Sequence, residues 1–543
     1  TWSFASGSEK FDYLADGEIL TLVYTVRVTD SNSPATTADQ TVTITITGTN
    51  DAPTITIGSG NSAAASLTET STTLTSTGTL TVTDLDYTNT VVASVASVVA
   101  SGVTAGIISN NAALLAMLAV TPTNILSNTA TTAQLTWNFN SGSEAFDYLA
   151  TGQVLTLTYV VQAVDSNGTP AGGTRNVVIT ITGTNDVPTV TLSGGDSDAS
   201  PLTETDLGLS TTGTLTVTDL DYINTVTASV ASVVASGVIA GIIPNNATLL
   251  AMLAVTPTSI LSATQTTATL TWNFNSGSEA FNYLAAGEQL VLTYVVRATD
   301  SNGTPTSGTR NVIITITGTN DAPTITIGSG NSAAVTISET NATLTTSGTL
   351  SIVDLDYSNI VTSSVVTMVK SGTIINLVSS DSALQSMLTL SPSPVIGSTA
   401  TTGTLTWSFA SGSEKFDYLA AGESLVLTYT IRVTDSNSPA TTADRVIIIT
   451  INGTNDAPTI TLVGGDSAAS SLTETDTSLS TSGTLTVTDL DYTNTVVASV
   501  ASVVASGVTT GIISNNAALL AMLAVTPTNI LSATETTATL TWN

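Results

Sequence analysis

The chain has no cysteine and no histidine among its 543 residues. Disulfide frameworks, thiolate zinc sites and Ser-His or Cys-His catalysis are therefore excluded within this span. Positive charge is scarce too: 9 bases stand against 40 acids, for a formal net charge of -31. Binding to nucleic-acid phosphates needs clustered Lys and Arg, so a nucleic-acid partner is not expected. Aromatics make up only 5% of residues, too few for an aromatic ligand-binding face. The charge-free stretch "TVVASVASVVASGVTAGIIS" (Thr90–Ser109) has the length of a membrane span. It is thick with Ser, Thr and Gly and lacks basic flanks, so it reads as buried strand. The stretch opens with Thr1, not Met, and shows no signal peptide within it.

What the chain has in abundance is repetition. Gly48, Gly183, Gly318 and Gly453 each open a GTND, always 135 residues apart. Trp2, Trp137, Trp272, Trp407 and Trp542 keep the same step, as do Asp84, Asp219, Asp354 and Asp489. A period of this length is a whole domain rather than a solenoid turn. Cutting at the Asn-Asp linkers gives complete units at 51–185, 186–320 and 321–455. Residues 1–50 form the C-terminal part of a unit and 456–543 the N-terminal part of another. Either the native chain is longer at both ends, or neighbouring subunits complete each other's split domain by strand exchange.

Each unit reads as all-β. "TLTVTD" (Thr79–Asp84), "QLTWNFN" (Gln134–Asn140), "VLTLTYVVQAV" (Val154–Val164) and "NVVITIT" (Asn176–Thr182) alternate with period two and are rich in β-branched residues. "SNGTPAGG" (Ser166–Gly173) is a loop. About seven strands per unit suit a sandwich. "NNAALLAMLAV" (Asn110–Val120) breaks the pattern: an Asn cap, an Ala/Leu/Met run and Pro122 beyond it predict a short helix plugging an end or edge of the sandwich. Trp137, inside an alternating strand, reads as core.

The acids are not scattered. Unit 51–185 holds Asp51, Glu69, Asp84, Asp86, Glu144, Asp147 and Asp165 against one base, Arg175. Seven carboxylates and one cation cannot make a salt-bridge network. Asp51 follows the linker Asn, Asp84 and Asp86 form a DLD at a strand end, and Asp165 closes another strand. Alternation puts Asp84 and Asp86 on one side, with Leu85 turned away. Strand-end carboxylates beside a linker offer hard oxygen ligands, of which Ca2+ takes six to eight, whereas Mg2+ prefers a strict octahedron and keeps its waters. Without a cation the carboxylates would repel and their pKa values would rise.

The pattern "FDYLAAGE…LTYxxRxTDSN…ITITGTNDAPT" resembles the VCBS repeat of large bacterial surface proteins and, more distantly, cadherin domains. The resemblance covers essentially the whole chain. It implies Ig-like sandwiches joined end to end by Ca2+, with ligands from an early Glu, a Glu before the last strands, the linker Asn-Asp, a DxD and a late Asp. At the junction at Asp321 these match Glu204, Glu288, Asn320, Asp321, Asp354, Asp356 and Asp435. At Asp186 they match Glu69, Asn185, Asp186, Asp219, Asp221 and Asp300. At Asp456 they match Glu339, Glu423, Asn455, Asp456, Asp489 and Asp491. At Asp51 they match Glu18, Asn50, Asp51, Asp84, Asp86 and Asp165. The chain departs from the pattern in places. Gly48 and its equivalents stand where the cadherin linker starts with an Asp. Gln153 stands where the other units have Glu, which would make the hinge at Asp186 the weakest. Asn282 replaces the equivalent of Asp147, which argues against FDY as an essential ligand.

Function expected on this basis is structural: the stalk of an extracellular adhesin or fibre on a bacterial surface, stiffened by Ca2+ and serving adhesion or biofilm. Its partners would be Ca2+, the neighbouring repeats and copies of itself in a fibre, with no membrane span in this stretch. Two alternatives are a self-assembling filament or sheath subunit and a glycan- or cell-binding module. An enzyme is not expected, because the acids sit at repeated junctions rather than in one singular site.

Overall fold

The computed structural model describes residues 50–543, except 87–89, 128–129, 167–171 and 303–306, together with the backbone of 26–29 and 37–40. In unit 51–185 the alternating segments form nine strands in two sheets. They are β1 (Thr54–Thr56), β2 (Ala64–Thr68), β3 (Thr75–Thr83), β4 (Val91–Gly102), β5 (Leu118–Thr121), β6 (Asn124–Leu126), β7 (Thr132–Asn140), β8 (Val154–Asp165) and β9 (Gly173–Thr182). Leaving out the three-residue β1 and β6 gives the seven expected from sequence. One sheet runs β1-β3-β7-β5 and the other β2-β9-β8-β4-β6. All pairs are antiparallel except β2 with β9, which run parallel from Ala64↔Val178 to Thr68↔Thr182. Unit 186–320 repeats this plan, unit 321–455 does so with an isolated Val361↔Ile396 bridge in place of β6, and 456–543 repeats the first sheet.

Period-two alternation sends every second side chain of β7 and β8 inward. Leu135, Trp137, Phe139, Leu155, Leu157, Tyr159 and Val161 are buried between the sheets, as are their equivalents in the next two units. Phe139 meets Tyr159 edge-on at 6.3 Å between ring centroids, and Phe274–Tyr294 and Phe409–Tyr429 do the same. The stretch Thr90–Ser109 supplies β4, and among the described residues no helix is long and apolar enough to cross a membrane.

The helix predicted over Asn110–Val120 is shorter than expected. α1 covers Asn111–Ala116, capped by the Asn110 side chain accepting from the Ala113 N–H. The chain then turns directly into β5, where Leu118 and Val120 are buried and Ala119 and Thr121 exposed. Leu-Ala-Val-Thr ahead of Pro122 satisfies a period of two as well as a helical one, and pairing with β7 decides between them. The Tyr159 hydroxyl donates to the Leu114 carbonyl at 2.8 Å, tying the open C-terminal end of α1 to the core.

Gly78 shows why the period is kept so strictly. It lies opposite Trp137 in the β3–β7 ladder, and a Cβ there would sit 2.5 Å from the indole. Gly213, Gly348 and Gly483 face Trp272, Trp407 and Trp542 in the same way. The indole N–H is committed on its other side, donating from Trp137 Nε1 to the Ser62 carbonyl at 2.6 Å. The ring therefore has nowhere to move. Gly348→Ala should cost unit 321–455 about 1–3 kcal/mol through overpacking. Hydrogen exchange should accelerate in Thr345–Val353 and Thr402–Ala410, while the matching strands of the other units keep their protection.

Candidate metal centres at the unit junctions

Successive units meet through main chain. The Tyr222 N–H donates to the Tyr148 carbonyl at 3.2 Å, Tyr357 to Tyr283 at 3.0 Å, and Tyr492 to Tyr418 at 3.2 Å. Tyr222 also packs on the core of the preceding unit, and Tyr357 and Tyr492 do likewise. Beside each contact lies a nest of carboxylates.

At the junction at Asp186, Glu69 follows directly on β2, where its N–H continues the ladder by donating to the Thr182 carbonyl at 2.9 Å. Its Oε1 accepts from the Thr184 N–H at 3.0 Å and from the Thr184 hydroxyl, and its Oε2 is buried with no donor. The linker supplies Asp186, whose N–H donates to Asp221 Oδ2 at 3.0 Å while its own Oδ2 is buried without a donor. In the DLD, Asp219 Oδ1 accepts from the Asp221 N–H at 3.0 Å, which points both side chains inward. Asp219 Oδ2 and Asp221 Oδ1 are again buried and bare. Asn185 Nδ2 donates to Asp300 Oδ2 at 2.9 Å, so the late Asp joins the linker.

The same arrangement returns downstream. Asn320 donates to Asp435 at 3.0 Å, and the N–H groups of Asp321 and Asp456 donate to Asp356 and Asp491 at 3.1 and 3.0 Å. Bare buried oxygens recur on Glu204, Asp321, Asp354 and Asp356, and on Glu339, Asp456 and Asp491, while Asp489 is buried beside its partner Asp491. Asn455 Nδ2 turns to the Asp456 carbonyl at 3.1 Å. At Asp51, Asn50 donates to Asp165 at 2.9 Å, the Asp51 N–H to Asp86 at 3.1 Å, and the Asp86 N–H to Asp84 at 3.0 Å. Glu18 lies outside the described residues.

Two findings differ from the sequence reading. The second glutamate uses its side chain on its own turn: Glu288 and Glu423 accept from the N–H groups of Ala285 and Ala420, both at 3.0 Å. Gln153 accepts from Ala150 in the same way at 3.1 Å, so this bond does not set the Asp186 junction apart. The acid that does join Glu69 and Asp186 is Asp147. One oxygen from each of these three lies within 4.8 Å of the other two. Two oxygens on one Ca2+ at 2.3–2.6 Å can be up to about 5 Å apart, so the trio fits a single ion. Asp147 Oδ1 and Asp417 Oδ1 are buried without donors, and so is Asn282 Oδ1, because the Asn282 amide donates instead to Asp206 at 3.1 Å. Asn224 and Asn359 were also missed. They are buried and donate to Asp221 and Asp356 at 2.7 and 2.8 Å. The recurrence of Asn at the sixth place of DLDYxN was the available signal.

Burial drives the electrostatics, and neighbouring carboxylates add to it. Asp186 is pushed up to about 6 by burial and then by Glu69 and Asp147. Burial and the flanking acids bring Asp221 to about 7, Asp321 to about 7 and Asp356 to about 8. Asp84 and Asp165 are raised as well, burial again leading. A donor set made only of carboxylate and amide oxygens, buried, bare and mutually repelling, suits a hard cation such as Ca2+.

The structure defines a tandem array of two-sheet β-sandwich units. Neither a protein-family model nor a curated protein matches the chain. Among solved structures it is similar to the protocadherin gamma B4 extracellular domain, at 14% identity over 80% of this chain and 61% of that one, with a TM-score of 0.29. It is also similar to mouse cadherin-23 EC22-24, at 11% identity over 74% of this chain and 100% of that one, also with a TM-score of 0.29. Superpositions this loose carry no argument, and the architecture rests on the strand pairing itself.

With divalent cations removed, the raised carboxylates set the pH dependence. Their folded pKa values lie above the unfolded value of about 3.9, so the folded state holds more protons between the two. Their contribution to stability should therefore be full below about pH 4 and be lost as pH rises through 6 to 8. Melting curves in EDTA at pH 5 and pH 8 check this, and millimolar Ca2+ should remove the loss at pH 8.

Proposed function

We propose that the chain is a stretch of the stalk of an extracellular bacterial adhesin or surface fibre, whose repeats are locked into a rod by Ca2+ at each junction. The observation behind this reading is the set of buried, donor-less oxygens recurring at Asp186, Asp321 and Asp456. Around Asp186 the ligands would be Glu69, Asp147, Asp186, Asp219 and Asp221, with Asn185 and Asp300 completing the nest. Residues from both flanking units converge there, so an ion would couple the two units and offset their repulsion. The VCBS-like sequence pattern supports placing such a rod on a bacterial surface, in adhesion or biofilm. Extracellular Ca2+ is millimolar, within the range that such modules bind.

EGTA should shorten the particle's maximum dimension in small-angle scattering and open the linkers to protease. A rod that keeps both its length and its resistance without Ca2+ would sink the proposal. Replacing Asp354 and Asp356 with Asn should loosen the junction at Asp321 alone. Cleavage should then begin beside Asp321, with the sandwich circular-dichroism signal unchanged.

The junctions should also differ in affinity. Asp147 and Asp417 bring a charge where Asn282 brings only a neutral oxygen, and neutral amides bind Ca2+ more weakly than carboxylates. The junction at Asp321 should empty first as Ca2+ is withdrawn. Asn282→Asp should tighten it several-fold, read by calcium titration of the full chain.

A further inference from the structure

Away from the junctions, one arginine recurs at the start of the last strand of each complete unit: Arg175, Arg310 and Arg445. Its environment differs among the three. In the middle unit Arg310 donates from Nε to Asp198 at 2.8 Å, with a second nitrogen at 2.7 Å, and both side chains are about two-thirds covered. In the other two units the position of Asp198 is taken by Ala63 and Ala333.

The backbone there is the same in all three. The carbonyls of Ala63, Asp198 and Ala333 accept from the N–H groups of Val178, Ile313 and Ile448 at 2.8–2.9 Å. One residue earlier, the carbonyls of Ser62, Ser197 and Ser332 accept from the buried indoles at 2.6–2.8 Å. The alanine Cβ therefore points where the Asp198 carboxylate stands. Beside Ala63 lies an open groove of about 730 Å3, lined by Asn61, Ser62, Thr174 and Asn176 with Arg175 at its side. A matching groove of about 670 Å3 lies beside Arg445. Among the described residues no carboxylate pairs with Arg175 or Arg445. Asp444, next to Arg445 in sequence, turns both oxygens to Arg432 at 2.7 and 2.8 Å.

We infer that the grooves beside Arg175 and Arg445 bind a carboxylate-bearing ligand, whose carboxylate takes the place that Asp198 fills in the middle unit. A guanidinium matches a carboxylate through two parallel N–H donors. Asn61, Ser62, Thr174 and Asn176 share the groove beside Arg175 with Ile57 and Val178, and Ile327, Val446 and Ile448 line the one beside Arg445, so the body of the ligand is part polar and part apolar. The carboxylate comes either from a free small molecule or from a side chain of a second copy of this chain.

The six arginines make the test direct. With the full chain labelled with 15N-arginine, in Ca2+ and about 0.15 M salt to screen the net charge, acetate is titrated against equal chloride. The Nε–H signals of Arg175 and Arg445 should shift with acetate and not with chloride, while Arg310 stays still. Half-saturation should come on the order of 10 mM, because a partly exposed pair is weak. Asp198→Ala should make Arg310 respond. Ala63→Asp should silence Arg175 and leave Arg445 responsive, and it places in unit 51–185 only what the middle unit already carries. The inference is overturned if Arg175 and Arg445 do not shift, if Arg310 shifts alongside them in the unaltered chain, or if Ala63→Asp leaves the Arg175 response intact. A shift of Arg175 with protein concentration in the absence of acetate, together with faster sedimentation, would assign the carboxylate to a second copy. Spectra independent of concentration would assign it to a free ligand.

Discussion

Several carboxylates packed together where little water reaches, with no ion pair to Lys or Arg among the described residues, form the constraint on which the array depends. Each unit is stable through its own core of Trp, Phe, Tyr and branched side chains. How one unit stands against the next is a different matter. At Asp186 the nest draws Glu69 and Asp147 from one unit and Asp219 and Asp221 from the next, and burial and mutual repulsion raise their proton affinity. Apolar burial holds each unit together, whereas a main-chain hydrogen bond, a packed Tyr and a nest of carboxylates meet where two units join.

Much of this was readable from the residues alone. Period-two alternation located the strands, because a residue on a sandwich strand faces either core or solvent and the sequence must follow. DLD recurring in phase with ND at the fixed step of 135 singled out acids that the structure brings together. Where the structure differs from the sequence reading, the reasons are identifiable. The end of α1 was misplaced because Leu118–Thr121 satisfies helix and strand periods equally, and only its pairing with β7 decides. Asn282 in the middle unit argues against FDY as an essential ligand, yet the structure brings Asp147 together with Glu69 and Asp186. The second glutamate was carried over by position along the chain, whereas its oxygen closes the turn that it belongs to. Sequence shows which residues recur. It does not show which way a side chain turns when two hydrogen-bond partners are in reach.

The units are also less alike than their shared step suggests. One carries Asp198 against its arginine where its neighbours carry alanine, and one carries Asn282 among aspartates. These differences sit on a backbone held in register by Trp and Gly. The scaffold tolerates local changes of charge without a change of length, so repeats of one shape can differ in what they bind.

The parallel pairing of β2 with β9 has a mechanical consequence. These are the second and last strands of unit 51–185, and the chain enters and leaves the unit close to them. When tension pulls the two ends of the unit apart, the strands are drawn in opposite directions along their own length. The pairs from Ala64–Val178 to Thr68–Thr182 are then loaded together, in shear, rather than opened one at a time from an end. A rod built this way would bear load along its axis through sets of hydrogen bonds that must fail at once, and the same strand carries the force directly to Glu69 at the junction.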